Sequence, residues 1–224
     1  MTNSREFSIC EPESSPDAAV IWLHGLGANG NDFMGVVDQL GLPVDHKVRF
    51  IFPNAPYIHV TVNQGMKMRG WYDIYDLNLL RKEDEQGVKK SQVLLEDLIN
   101  NEIEQGISTK RIILAGFSQG GAIALYTGLR YFRSLAGIIV LSSYLPLLDK
   151  FVAAEFPDNR STPIFIAHGL FDPVVPLNAG KTTCQQLQSE DYKIEWNTYP
   201  MAHTIALEEI TAIGAFINRC LGYA

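Results

Sequence analysis

The chain is poor in the features that mark many protein classes. Its three cysteines, Cys10, Cys184 and Cys220, are an odd, widely spaced set that makes neither a disulfide framework nor a C-x-x-C pair. Reduced thiols in a cytoplasmic protein are therefore expected. There is no basic run, and the net charge is −7, so electrostatics offer no route to nucleic acid. No apolar stretch approaches the ~20 residues that span a bilayer, so no integral membrane segment is expected. Residues Met1 to Pro16 are polar and carry Glu6, Glu11 and Glu13, without the apolar stretch of a signal peptide or the arginine bias of a transit peptide. There is no H-E-x-x-H and no clustered Cys/His pattern, so neither a metal nor a cofactor is expected. No repeat, linker or low-complexity tract divides the 224 residues, and one domain spanning 1–224 with a sizeable core is the expectation.

What the chain does contain is an alternation of strand-like and helix-like stretches. Ala18 to Leu23, Val48 to Phe52, Arg111 to Phe117, Ala136 to Leu141, Pro163 to His168 and Tyr192 to Tyr199 read as strands. Most are continuous apolar runs, the pattern of strands covered on both faces. Val88 to Gln105 reads as a helix with Val88, Leu95, Leu98, Ile99 and Ile103 on one side, stopped by Gly106. Gly120 to Leu129 and Thr204 to Leu221 read as further helices. The fold class predicted is α/β, a mostly parallel sheet with helices on both faces. Residues 53–86 resist this scheme: apolar and aromatic side chains are frequent, but no period is clear. A segment of that length without regular structure is often functional, which makes it a candidate lid or acyl-binding loop; a short hairpin within it stays open.

Gly116-Phe117-Ser118-Gln119-Gly120 spells G-x-S-x-G between a strand and a small-residue helix. That context is what a nucleophile elbow needs. The serine occupies a strained turn, small neighbours avoid clashes, and Oγ is lifted above the sheet at a helix N-terminus. A serine needs a base. In folds with this elbow the order is Ser, then Asp or Glu, then His. His24, His46 and His59 precede Ser118. His168 follows it with no suitably placed acid between, and reads as a satisfied strand-end histidine. Asp172 lies just past the strand 163–168, and His203 just past the strand ending near Tyr199. Loops after parallel strands gather at one sheet edge, so Ser118, Asp172 and His203 are predicted to meet there as nucleophile, acid and base. Taken singly, Asp172 reads as a turn residue and His203 as a surface-loop histidine.

An acyl-transfer intermediate requires two donors for its oxyanion. The N–H of Gln119, after the serine, is one candidate. The Leu26 N–H, in the loop His24-Gly25-Leu26-Gly27, is the other. The same loop spells G-x-G-x-x-G from Gly25 to Gly30, a dinucleotide fingerprint, but the acidic residue that motif needs is missing after the next strand, Phe50-Ile51-Phe52-Pro53. Residues 57–80 are expected to cover the catalytic edge with an acyl-chain wall built from Ile58, Val60, Met66, Met68, Trp71, Tyr72, Leu77, Leu79 and Leu80. Met66, Met68, Trp71 and Val174 are the substrate-contact candidates. The plainer reading of the segment is a second small cluster anchored by Trp71.

Several motifs together resemble the carboxylesterase and acyl-protein thioesterase family of small α/β-hydrolases. They are His24-Gly25-Leu26-Gly27, Phe52-Pro53-Asn54-Ala55-Pro56, Trp71-Tyr72-Asp73, Gly116 to Ala122, and His168-Gly169 with Asp172 to Pro176. The resemblance implies cofactor-free hydrolysis of carboxylic esters and of thioesters on acylated protein cysteines. It also implies the same Ser118, Asp172, His203, Leu26 and Gln119 assignments. The partners it implies are an ester or thioester substrate, carried by an acylated protein or a lipid, with transient membrane contact. Oligomeric state is not legible. Ala28-Asn29 and Ala202 depart from the family pattern and bear on substrate preference. A lysophospholipase is the alternative within the same chemistry, and a non-catalytic binding module on a hydrolase scaffold is the alternative of another class.

Overall fold

A computed structural model describes residues 7–76 and 82–223. Among these, seven strands form one sheet, β1 (Phe7–Cys10), β2 (Ala18–Leu23), β3 (Val48–Pro53), β6 (Ile112–Phe117), β7 (Gly137–Leu141), β8 (Ile164–Gly169) and β9 (Ile194–Tyr199). Their spatial order is β1-β3-β2-β6-β7-β8-β9. β1 runs antiparallel to β3, and the other pairs are parallel. Two further strands, β4 (Tyr57–Val60) and β5 (Met66–Arg69), pair as a separate antiparallel hairpin.

The period-2 geometry of a strand explains why the central strands read as unbroken apolar runs. Along β2, Ala19, Ile21 and Leu23 enter the core on one face, and Ala18, Val20 and Trp22 enter the core on the other. Helices α1 (Glu85–Glu104), α2 (Gln119–Arg130) and α3 (Leu177–Ser189) contribute to the first core; α4 (Leu207–Leu221) and a 3-10 stretch, Gly30–Gln39, contribute to the second. Each fully buried Ile or Leu contributes about 1.5–3 kcal/mol. Among the described residues no helix is long and apolar enough to cross a membrane.

The strand and helix expectations hold with ends shifted by at most three residues. Val88, Leu95 and Ile99 are buried on α1, Leu98 and Ile103 pack beside them, and Gly106 ends the helix at φ 96°. The irregular segment contains the hairpin: Tyr57 pairs with Arg69 and Val60 with Met66. Asp84 then caps α1 by accepting from the Gly87 N–H at 3.0 Å, and its other oxygen accepts from the Asp73 N–H at 2.9 Å. Leu77, Leu79 and Leu80 lie outside the described residues. Besides the 3-10 stretch Gly30–Gln39, two elements of the sheet and its helices went unread. The edge strand β1 is short and half-exposed. The inward side of α3 is Ala179, Gly180, Thr183, Cys184 and Leu187, too small and polar to show a helical apolar period.

Candidate active site

The elbow is built by sterics. Ser118 sits at φ 53°, ψ −121°, a backbone region costly for any residue with a Cβ. The turn is tight enough that a Cβ on Gly116 would lie 2.3 Å from the carbonyl carbon of Gly120, and a Cβ on Gly120 would lie 2.3 Å from the Leu23 oxygen. The Ser118 N–H donates to Leu141 O at 2.8 Å, and Ser143 Oγ donates to Ser118 O at 2.7 Å, so both sides of the serine backbone are held by β7 and the residues after it. Gln119 opens α2, and a first-turn N–H has no acceptor within its own helix.

Asp172 and His203 are brought together by zipping the loops after β8 and β9. Leu170 N–H donates to Tyr199 O at 2.8 Å and Phe171 N–H to Met201 O at 3.0 Å. The approach is so close that a Cβ on Gly169 would stand 2.4 Å from Ala202 O. His203 Nδ1–H donates to Asp172 Oδ2 at 2.7 Å, which leaves Nε2 with its lone pair. The other carboxylate oxygen accepts from Val174 N–H at 2.8 Å and Val175 N–H at 2.9 Å. Asp172 is thus a turn residue and a histidine partner at once, and its side chain is fully buried. The His203 ring lies 4.7 Å from the Phe117 ring, beside the elbow.

The loop after β2 closes the other side. A Cβ on Gly25 would sit 3.5 Å from Ser118 Cβ, so the loop carrying Leu26 adjoins the serine. Sequence reasoning gave His24 no role, yet it organises this loop. Ala55 N–H donates to its Nε2 at 3.0 Å, so Nδ1 carries the hydrogen that Gly25 O accepts at 2.7 Å. Burial lowers its pKa and keeps it neutral.

Two expectations need correction. Trp71 is only 4% exposed and belongs to the main core, so it does not anchor a separate cluster. Its Nε1–H donates to His24 O at 2.8 Å and its N–H to Gln119 Oε1 at 2.8 Å, because a buried indole needs partners. His168 is not fully satisfied. Its Nε2–H donates to Val175 O at 2.9 Å, but Nδ1 has no hydrogen-bond partner among the described residues, and burial lowers its pKa. Of the remaining substrate-contact candidates, Met66 is 64% and Val174 55% exposed. Met68 sulfur lies 3.7 Å from where a Gly27 Cβ would stand, next to the Leu26 loop. A groove of about 380 Å³ lined by Ile164, Ile194, Phe216 and Cys220 opens at the opposite, amino edge of the sheet and has no part in this site.

Residues 4–221 match the phospholipase/carboxylesterase family. The chain belongs to that family. Phospholipase/carboxylesterase members are hydrolases of ester bonds, and so is this chain. Acyl-protein thioesterase 1 of Neurospora crassa is 46% identical over 215 residues, covering 91% of this chain and 87% of that protein. Acyl-protein thioesterase 1 of Schizosaccharomyces pombe is 37% identical and covers 99% of both chains. Among solved structures, acyl-protein thioesterase 2 of Zea mays superposes with a TM-score of 0.84 at 25% identity, covering 97% of this chain and 100% of the other.

Proposed function

We propose that this esterase cleaves thioesters on acylated protein cysteines, and simple carboxylic esters, through an acyl-enzyme on Ser118. The observation that carries the reading is the 2.7 Å His203–Asp172 hydrogen bond, at the same sheet edge as a serine in an elbow conformation. Ser118 Oγ attacks the acyl carbonyl while His203 Nε2 takes its proton. The tetrahedral oxyanion accepts from the Leu26 and Gln119 N–H groups, and Asp172 stabilises the imidazolium. Collapse expels the thiolate or alkoxide, which receives the proton from His203. Water, deprotonated by the same imidazole, then releases the acid and restores Ser118. The names of the fungal relatives support the thioester preference, and the unpaired Cys10, Cys184 and Cys220 suit a cytoplasmic site of action. Met66, Met68 and Val174 are the side chains proposed to meet the acyl chain.

The test is labelling with a fluorophosphonate probe, followed by turnover of an S-palmitoyl peptide, p-nitrophenyl esters and lysophosphatidylcholine. One equivalent of label on the parent and none on Ser118→Ala is expected, with the S-palmitoyl peptide turned over faster than the lysolipid. Label and turnover surviving in Ser118→Ala would overturn the mechanism, and preference for the lysolipid would overturn the substrate assignment.

A further inference from the structure

We propose that the Gln119 carboxamide and the Trp71 indole form one brace that sets the spacing between the two oxyanion N–H donors; this rests on the acyl-enzyme reading above. The donors sit on different loops. Leu26 follows β2 and Gln119 follows β6, and the ladder between these neighbouring strands ends at the pair Leu23–Gly116. Beyond that pair, nothing in the sheet fixes one donor relative to the other.

Residues 69–72, at the end of the hairpin, supply the missing link. The Gln119 side chain is almost fully buried and bonds at both ends: Oε1 accepts from Trp71 N–H at 2.8 Å, and Nε2 donates to Tyr72 O at 2.7 Å. The same segment holds both residues that flank Leu26 by one or two positions. Trp71 Nε1–H donates to His24 O at 2.8 Å, and Gly27 N–H donates to Arg69 O at 2.8 Å. The Trp71 ring also packs on the His24 imidazole, with centroids 5.3 Å apart. Trp71 O in turn accepts from Ser91 Oγ, which ties the segment to α1. One short stretch of backbone is therefore the common template for both donors.

A glutamine in this position is otherwise hard to account for. The rest of α2 up to Arg130 is buried and, apart from Tyr126 and Thr127, built from Gly, Ala, Ile and Leu. A long polar side chain at its start is tolerated only because both polar ends are bonded. The carboxamide matches the alternation of a backbone donor and acceptor, as an added strand residue would. The Gln119 carboxamide and the Trp71 indole touch no reacting atom in this scheme. They are positioning residues that act through the N–H groups of Gln119 and Leu26.

The experiment uses Gln119→Met, Trp71→Phe and the double variant, with kcat and KM for p-nitrophenyl acetate expressed per fluorophosphonate-labelled site. Deleting one oxyanion donor costs about 10²–10³ in kcat, so misplacing one is expected to lower kcat about 10- to 100-fold in each single variant. KM should stay within about threefold, because a short ester gains little from the brace before the oxyanion forms. The double variant should lose no more than about threefold beyond the worse single, as expected for parts of one unit. If Gln119→Met does not fold, Gln119→Glu replaces it. A protonated carboxyl makes both bonds and an ionised one cannot donate to Tyr72 O, so the ratio of its kcat to the parent's should fall as pH rises from about 5.5 to 8.5. Parent-like kcat per labelled site in both singles, losses that multiply in the double, or a flat ratio for Gln119→Glu would each overturn the brace. Turnover persisting in Ser118→Ala would instead sink the acyl-enzyme reading.

Discussion

Glu209 is a buried carboxyl close behind the His203 loop, and it makes the stability of this protein depend on pH in a direction opposite to that of its buried histidines. It lies in the first turn of α4 and is fully buried. One oxygen accepts from the Ala206 N–H at 3.3 Å; the other has no partner among the described residues. Burial raises its pKa from 4.5 to about 7, against a small lowering by the Ala206 N–H. The nearby Tyr199 hydroxyl, raised first by burial and then by Glu209, Glu195 and Glu208, adds no positive charge. A raised folded-state pKa means the folded protein holds the proton more tightly than the unfolded chain. The stability from this group is therefore complete below about pH 4.5 and lost as pH rises through about 7. At about 1.36 kcal/mol per pK unit, the loss totals about 3 kcal/mol. Glu209→Gln removes the titration and keeps an acceptor for Ala206. Urea unfolding of parent and variant at pH 5, 6, 7 and 8.5 isolates the effect, since His24, His168 and other groups cancel in the difference. The variant should gain on the parent by about 2.5 kcal/mol between pH 5 and 8.5, with most of the gain between pH 5 and 7. A parent-minus-variant difference that does not move with pH would refute the reasoning.

Three further outcomes are expected. His203→Ala and Ser118→Ala should each lower p-nitrophenyl ester turnover by roughly 10³ to 10⁶-fold, with the double variant little worse than either, measured as kcat on purified protein. Gly120→Ala places a methyl 2.3 Å from Leu23 O and 2.5 Å from His24 O, backbone atoms that cannot swing aside. It should cost about 1–3 kcal/mol or more in chemical denaturation and lower kcat with it. A buried methylene is worth about 0.8 kcal/mol, so kcat/KM should climb by up to about fourfold per added acyl carbon until the apolar surface proposed for the acyl chain is covered. Met66→Ser with Met68→Ser should flatten that climb and leave acetate ester turnover nearly intact; an unchanged chain-length profile would remove the hairpin from acyl recognition.

The legible parts of this protein share a physical cause. Strands buried on both faces leave continuous apolar runs, so β2, β3, β6, β7 and β8 announce themselves. The elbow is legible because its geometry tolerates so few residue types that Gly116, Ser118 and Gly120 mark it. Asp172 and His203 follow from chain order and from the rule that parallel strands deliver their loops to one edge. The hairpin β4–β5 was left open because its strands are four residues each, with Met66 and Lys67 facing solvent, so no alternation stands out. One signal for the brace was present and unused. Gln119 is a long polar residue leading a run of glycine, alanine and isoleucine that reads as wholly buried, and such a side chain requires buried partners.

By itself, then, the sequence determined the parallel strands of the sheet and the elbow, and it put forward Ser118, Asp172 and His203 as the proposed catalytic set, because each reading follows from local sterics, hydrophobic period or chain order. Only the tertiary structure decided what Trp71, His24 and Gln119 do. Their partners lie 47 or 48 residues away along the chain for the Trp71 and Gln119 bonds, and 31 residues away for the His24–Ala55 bond. A hydrogen bond between such distant residues leaves no periodicity or spacing in the sequence. It is fixed by where folding places two buried polar groups that must find each other once water is gone.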